Sequence, residues 1–350
     1  MSAIGGLYVG VGHTIDVAGD YFTTHEAEAA TAYTPATTPT RLPSASLAVK
    51  VTTPEPANNI FGVSDTVLLA PIGAAPVTRV KLNHGGTSLS LRVDFANGAR
   101  ASFKPEQVWP QSDPRREIAA YRIDRLLGIG HVAPAKPIKL TVAEVIAAAD
   151  PQLRTYTTQR LADEARAHNG ELRGMAAWWI PEIKDMRLGG FEMHEPEAMQ
   201  QLIGYLQIGA PVPAQYKKLV EQFAECIVFD VVIDNSDRWS GSNTKISPDG
   251  NTLFFMDNTL SFSKFLHGHD TNLRPLLRMQ RFPRALVARL RTLTLAQITQ
   301  ALAVVDDRVG LGPLLTAEEM RAIIARKDHV LEHIDGLIKQ FGEDAVLALP

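Results

Sequence analysis

From Leu89 the chain alternates: Leu89, Leu91, Val93 and Phe95 are apolar, and Ser90, Arg92 and Asp94 between them are polar. A period of two is that of a strand with one buried face. Ala99, Ala101 and Phe103 repeat the pattern against Arg100, Ser102 and Lys104, and the Asn97-Gly98 pair between the runs predicts a hairpin. Its register follows from the pattern. A two-residue loop would set Phe95 opposite Arg100 and mismatch the whole ladder. A three-residue loop, Ala96-Asn97-Gly98 with Gly98 in the left-handed region, sets Phe95 against Ala99, Val93 against Ala101 and Leu91 against Phe103. Lys104 then falls on the polar face opposite Ser90, where it can point into a cleft.

Downstream the period lengthens. Asp113-Pro114 opens a helix with a capping side chain and a first-turn proline, and Gly128 ends it. Ala119, Ala120, Ile123, Leu126 and Leu127 make its apolar face, with Glu117 at the border. Residues 140–168 read as helical, 170–181 as a strand and connection containing Trp178-Trp179, and 196–208 and 214–233 as helices. A dense polar segment follows, Asp234-Asn235-Ser236-Asp237-Arg238 and then Asn243. A short strand pair about Ser247-Pro248-Asp249-Gly250 leads through Leu253–Met256 into Asp257-Asn258. The last hundred residues read as helical, with a capping box at Thr316 and Glu319. Residues 34–57, rich in Pro, Thr, Ser and Ala, read as an extended arm.

Composition narrows the class. With 350 residues, 45% hydrophobic and 21% charged, the chain is globular and long enough for two lobes or domains. We expect an N-terminal extension over 1–80, a β-rich N-lobe over 81–140 and a mainly helical C-lobe over 141–350. A formal charge of −3 with mixed signs gives no footprint for nucleic acid or an acidic membrane surface. The start of the chain lacks a secretory pattern and no apolar run is long enough to span a bilayer. One cysteine, Cys226, excludes an internal disulfide, so the expected location is cytoplasmic, with no membrane or nucleic-acid partner. The arginines at 274, 278, 281, 284, 289 and 291 read as a solvated helix face. Trp178 and Trp179 read as core more readily than as nucleotide contacts, His267 and His269 as loop residues rather than a metal pair, and Cys226 as buried and inert.

The polar positions form a set with a chemical logic. Phosphoryl transfer needs a cation on the phosphates, oxygen ligands for a metal and a base at the acceptor hydroxyl. In chain order the sequence offers Lys104, Glu117, Asp237, Asn243 and Asp257. Asp257 and Asn243 are hard oxygen donors suited to magnesium or manganese.

The local motifs carry more than the order. Phe103-Lys104-Pro105, Glu117-Ile118-Ala119-Ala120 with Asp124-Arg125 and Leu127-Gly128, Phe229-Asp230 ahead of Asn235-Ser236-Asp237-Arg238, and Asp257-Asn258 resemble the secretory-pathway kinases, the family of the Golgi casein kinase, the xylose kinase and the four-jointed kinase. The resemblance spans about 84–340. It implies an α+β, two-lobed, atypical protein-kinase-like fold that moves the ATP γ-phosphate to a hydroxyl on a protein or small molecule, a sugar among them, with Mg2+ or Mn2+. In that reading Lys104 contacts phosphates, Glu117 holds Lys104 or reaches the metal, Asp237 is the base and Asp257 binds metal. Gly86 would lie in the strands covering the nucleotide, and Arg92 would stand in for a second family lysine whose place Ser90 occupies. Asn243, one residue further from the base than in many kinases, is a candidate metal ligand. Asp234 stands where the family usually has glycine, and Thr259 where glycine often follows Asp-Asn. Two alternatives stay open: a nucleotide-binding pseudokinase, and adenylyl transfer on the same fold.

Overall fold

The hairpin forms in the anticipated register. In the computed structural model Leu91 pairs with Phe103 and Val93 with Ala101, the Phe95 amide donates to the Ala99 carbonyl at 2.8 Å, and Gly98 takes φ +83°. The structure describes residues 57–83, 88–240, 243–304 and 307–350. The arm before residue 57, and Gly86, lie outside them.

In chain order the first elements are α1 (Asp65–Leu69), β1 (Val77–Leu82), β2 (Leu91–Phe95), β3 (Arg100–Pro105), α2 (Pro114–Leu127), β4 (Ala135–Thr141), α3 (Val142–Ala148), α4 (Arg154–Glu164), β5 (Ala167–His168) and β6 (Glu171–Trp178). An antiparallel sheet runs β1-β2-β3-β6-β4, with β5 paired to β6. There follow β7 (Lys184–Asp185), β8 (Arg187–Leu188), β9 (Phe191–Glu192), α5 (Pro196–Tyr205), α6 (Lys217–Ile233), β10 (Thr244–Ile246) and β11 (Leu253–Phe255). Helices α7 (Asp270–Arg278), α8 (Arg284–Thr292), α9 (Leu295–Ala301), α10 (Ala317–Phe341) and α11 (Glu343–Val346) complete the chain. The N-terminal part is thus sheet-rich and the C-terminal part helical, and no described helix is long and apolar enough to cross a membrane.

Two apolar clusters explain why the sheet looks two ways. Leu91, Val93, Ala101 and Phe103 share one cluster with Val80, Leu140 and Leu172. Met175 and Ala135 join the other, with the inner face of α2 and the C-terminal helices. Because side chains alternate along a strand, Lys104, next to Phe103, leaves the first cluster and faces α2. Helix α2 is capped as its sequence indicates. The Asp113 side chain accepts from the Arg115 amide, and Gly128 closes the helix at φ +67°. The capping box of Thr316 and Glu319 at α10 is also complete.

Three expectations about elements and boundaries meet a different arrangement. The sheet does not end near 140, since β6 pairs β3 on one side and β4 on the other. Nor does it begin at 81: β1 starts at Val77, α1 lies before it, and Phe61 packs on Trp178 with ring centroids 5.1 Å apart. Residues 140–168 are not one helical stretch. Pro151 cannot continue α3, so the backbone turns extended at Ala149 and α4 begins afresh. Strand β4 was hidden by Pro137, which is tolerated because β4 is an edge strand.

Gly174 in β6 has a packing reason. An added Cβ would stand 2.2 Å from the Lys104 carbonyl oxygen and 2.7 Å from Pro105 Cα. Both are backbone, so the strand beneath the candidate lysine would have to move. Gly174→Ala should destabilise the protein by about 1–3 kcal/mol, the usual cost of overpacking, measured by urea unfolding. A loss below about 0.5 kcal/mol, within the range of an ordinary surface substitution, would show that β3 and β6 are not held as closely as drawn.

Candidate active site

Three elements converge on Lys104. Its Nζ donates to Glu117 Oε1 of α2 at 2.7 Å and to Asp257 Oδ1, just beyond β11, at 2.8 Å. Lys104 and Glu117 are both 7% exposed, whereas 39% of the Asp257 side chain is open to solvent. Burial alone would lower the lysine's pKa. The Asp257 and Glu117 carboxylates outweigh it and hold the pKa above the ordinary lysine value. In return the ammonium draws the Asp257 carboxyl below the usual carboxylate range. Asp257 takes a left-handed φ of +53°, and Thr259 Oγ1 donates to its Oδ1 at 3.0 Å.

Behind this triad lies a buried polar chain. Arg238 donates to Asp230 through Nε at 3.0 Å, to Asn258 Oδ1 at 2.8 Å and to the Met256 carbonyl. Asn258 Nδ2 then reaches Glu117 Oε2 at 3.3 Å. All four side chains are buried, so each bond replaces one otherwise lost to water. Burial pushes the Asp230 carboxyl up, and the Arg238 guanidinium opposes it.

Asp237 is joined to the triad through Asn235. That residue's Nδ2 donates to the Asp257 carbonyl at 3.1 Å and to Asn258 Oδ1 at 3.2 Å, while its Oδ1 accepts from the Asp237 amide at 3.2 Å. The Asp237 carboxylate accepts from Asn243 Nδ2 at 2.7 Å and from Ser240 Oγ, and it is only half-buried. The structure thus gathers Lys104, Glu117, Asp237, Asn243 and Asp257. It does not bring Arg92 to them. That guanidinium is bidentate to Asp94 at 2.9 and 3.0 Å and lies 5.5 Å over Trp179. His269 bonds Asp234 rather than a second histidine.

Sequence reading did not select Asn235, Asn258, Arg238 or Asp230 as working parts, although all four lie inside the quoted motifs. The available signal was that Asp230 interrupts an otherwise apolar helical run, Cys226–Ile233, and so falls in the interior, where it calls for a cationic partner.

The oxygen donors fit a divalent cation that keeps much of its own shell. Among the described residues no three His, Cys, Asp or Glu side chains form a metal cage. Asp257 Oδ2 and Asn243 Oδ1 accept no hydrogen bond from a described residue. Two hard oxygens, with waters and phosphate completing the sphere, is the mode magnesium and manganese use.

Comparison with known proteins agrees with the motifs. Residues 209–346 match the family model described as Golgi casein kinase, C-terminal, Fam20. A Golgi casein kinase structure with Mn/ADP bound shares 17% identity and a TM-score of 0.62, covering 81% of this chain and 78% of that one. A second Golgi casein kinase structure gives 18% and 0.64, covering 81% and 77%. A hydra Fam20 structure with sugar gives 20% and 0.61, covering 79% and 90%. The resemblance read from the motifs is thereby shown, in sequence over the C-terminal part and in fold over most of the chain.

The triad predicts a pH-dependent stability difference. A depressed Asp257 stabilises fully above its unfolded value of 3.8 and loses that contribution as pH falls through its lower folded value. A raised Lys104 stabilises fully below 10.5 and loses its contribution as pH rises past its higher folded value. Lys104→Met should therefore cost about 2 kcal/mol at pH 7. That is less than for a fully buried pair, because solvent reaches Asp257. Urea titrations should show the gap narrowing below pH 3.8, and a gap that widens there would contradict the pairing.

Proposed function

We propose that this protein is a divalent-metal-dependent kinase that transfers the ATP γ-phosphate to a hydroxyl group. The observation that carries the reading is the shared position of Lys104 between Glu117 and Asp257, with Asp237 tied to Asp257 by one asparagine. The Fam20 match over 209–346 supports the kinase class.

Each residue's part follows from its charge and partners. Lys104, a permanent cation at neutral pH, faces phosphate oxygens, and Glu117 fixes where its Nζ can sit. Asp257 and Asn243 would hold magnesium or manganese, which would offset the negative charge of the phosphates. Asp237, partly open to solvent and oriented by Asn243, accepts the proton of the attacking hydroxyl. The acceptor oxygen then bonds to the γ-phosphorus as the bond to the bridging oxygen breaks, and ADP leaves with the bonding pair. The acceptor class is a hydroxyl on a protein or small molecule. A sugar belongs in the test panel because a structural relative was solved with sugar.

The test is transfer of label from γ-labelled ATP with Mg or Mn to casein-type proteins and to sugars, followed by product mass. Asp237→Ala should lower turnover by at least about 100-fold, the lower range for a positioned general base, with little change in nucleotide affinity. Equal labelling by wild type and variant would remove Asp237 from its role. A product heavier by AMP would assign adenylyl transfer, and nucleotide binding with no transfer or ADP release would assign a pseudokinase.

A further inference from the structure

We propose that Asp234 is a positioning residue that, with Arg326 and His269, braces the segment following Asp257 against the loop carrying Asp237. Its effect on turnover rests on the kinase reading above; its effect on segment order does not.

Asp234 ends α6 in the left-handed region, φ +58° and ψ +52°. Glycine adopts this conformation freely, whereas a residue with a Cβ meets steric cost. The side chain is wholly buried, where a carboxylate is unfavourable unless its oxygens are bonded. They are. Oδ1 accepts from the His269 amide at 2.8 Å and Asn272 Nδ2 at 3.0 Å. Oδ2 accepts from His269 Nδ1 at 2.8 Å and from Ser263 Oγ. Every donor lies in the stretch 263–272, so one carboxylate at the end of α6 gathers the chain that follows Asp257.

Arg326 joins the same two pieces from behind. It projects from α10, is wholly buried, and donates to the Val232 carbonyl at 3.0 Å, Ser263 at 3.1 Å and Phe265 at 2.8 Å. Burial lowers its pKa to about 10 and the Asp234 charge resists the fall, which leaves the guanidinium charged at neutral pH. Gly268 shows how closely the segment is fitted. At φ +78° a Cβ would lie 3.0 Å from Asp234 Oδ1 and 3.1 Å from Arg326 Cδ.

The brace is adjacent to the working residues. Asn235, next along the chain, bonds both the Asp257 carbonyl and the Asp237 amide. The Phe262 amide also meets the Ile233 carbonyl at 2.6 Å. Slack at Asp234 therefore reaches the spacing between base and metal ligand, although Asp234 itself contacts neither.

Full-length wild type, Asp234→Gly and Asp234→Asn separate the possibilities. Glycine keeps the turn and deletes the brace; asparagine keeps one oxygen acceptor. In Asp234→Gly, amides across 263–272 should exchange hydrogen at least about tenfold faster. ADP release with manganese and ATP should show kcat down about tenfold and KM for ATP within about twofold, the signature of a lost transition-state arrangement. Asp234→Asn should recover part of both. Wild-type exchange in Asp234→Gly would overturn the brace, and faster exchange with wild-type kcat, or a parallel rise in KM, would overturn the positioning role. If wild type releases no ADP and labels no acceptor, the kinase reading fails while exchange still decides the brace. Should Asp234→Gly not fold, His269→Ala must speed exchange over the same amides, and unchanged exchange there sinks the proposal.

Discussion

The ammonium of Lys104 between the carboxylates of Glu117 and Asp257 is the contact on which the arrangement turns. An isolated lysine so buried would shed its proton; two acidic partners within 2.8 Å keep it charged. Its partners come from different parts of the molecule. Lys104 ends a sheet strand, Glu117 lies near the start of α2, and Asp257 follows a strand of the helical part. One cation thus sets the sheet, the helix and the turn after β11 in register, and leaves one side of Asp257 open to solvent.

Around that contact the polar groups form a connected set rather than separate pairs. Asp230 holds Arg238, Arg238 holds Asn258, and Asn258 meets Glu117, so the α2 carboxylate is steered from inside α6. Asn235 spans from Asp257 to Asp237. Each member is costly to bury alone and satisfied in company, which makes the geometry of the set stiff. Stiffness suits phosphoryl transfer, where placement and charge do most of the work.

Arg92 illustrates how a face assignment falls short of a contact. Strand period put Arg92 on the same face as Ser102 and Lys104, and the ladder agrees, pairing Arg92 with Ser102. A long side chain still chooses among neighbours. Asp94 two residues away offers a bidentate partner and Trp179 offers a ring face, and together they hold the guanidinium. Asp94 lies in the same run, but its contact depends on a rotamer, and Trp179 lies just beyond β6, far along the chain.

By itself the sequence determined what is local: the Ala96–Gly98 loop and its register, the Asp113 and Gly128 caps of α2, the Thr316–Glu319 capping box, and the break between Phe103 facing one core and Lys104 facing away. Those follow from alternation, helical period and backbone freedom within a few residues. The motifs also carried the candidate set through their likeness to a known family. Tertiary structure alone decided that β4 with its proline sits at a sheet edge, that β6 lies between β3 and β4, and that Asp234 gathers the stretch after Asp257 with Arg326 behind it. Those facts depend on which surfaces meet when distant segments bury their apolar faces together. A buried charge is stable only beside partners that such packing brings within hydrogen-bonding distance.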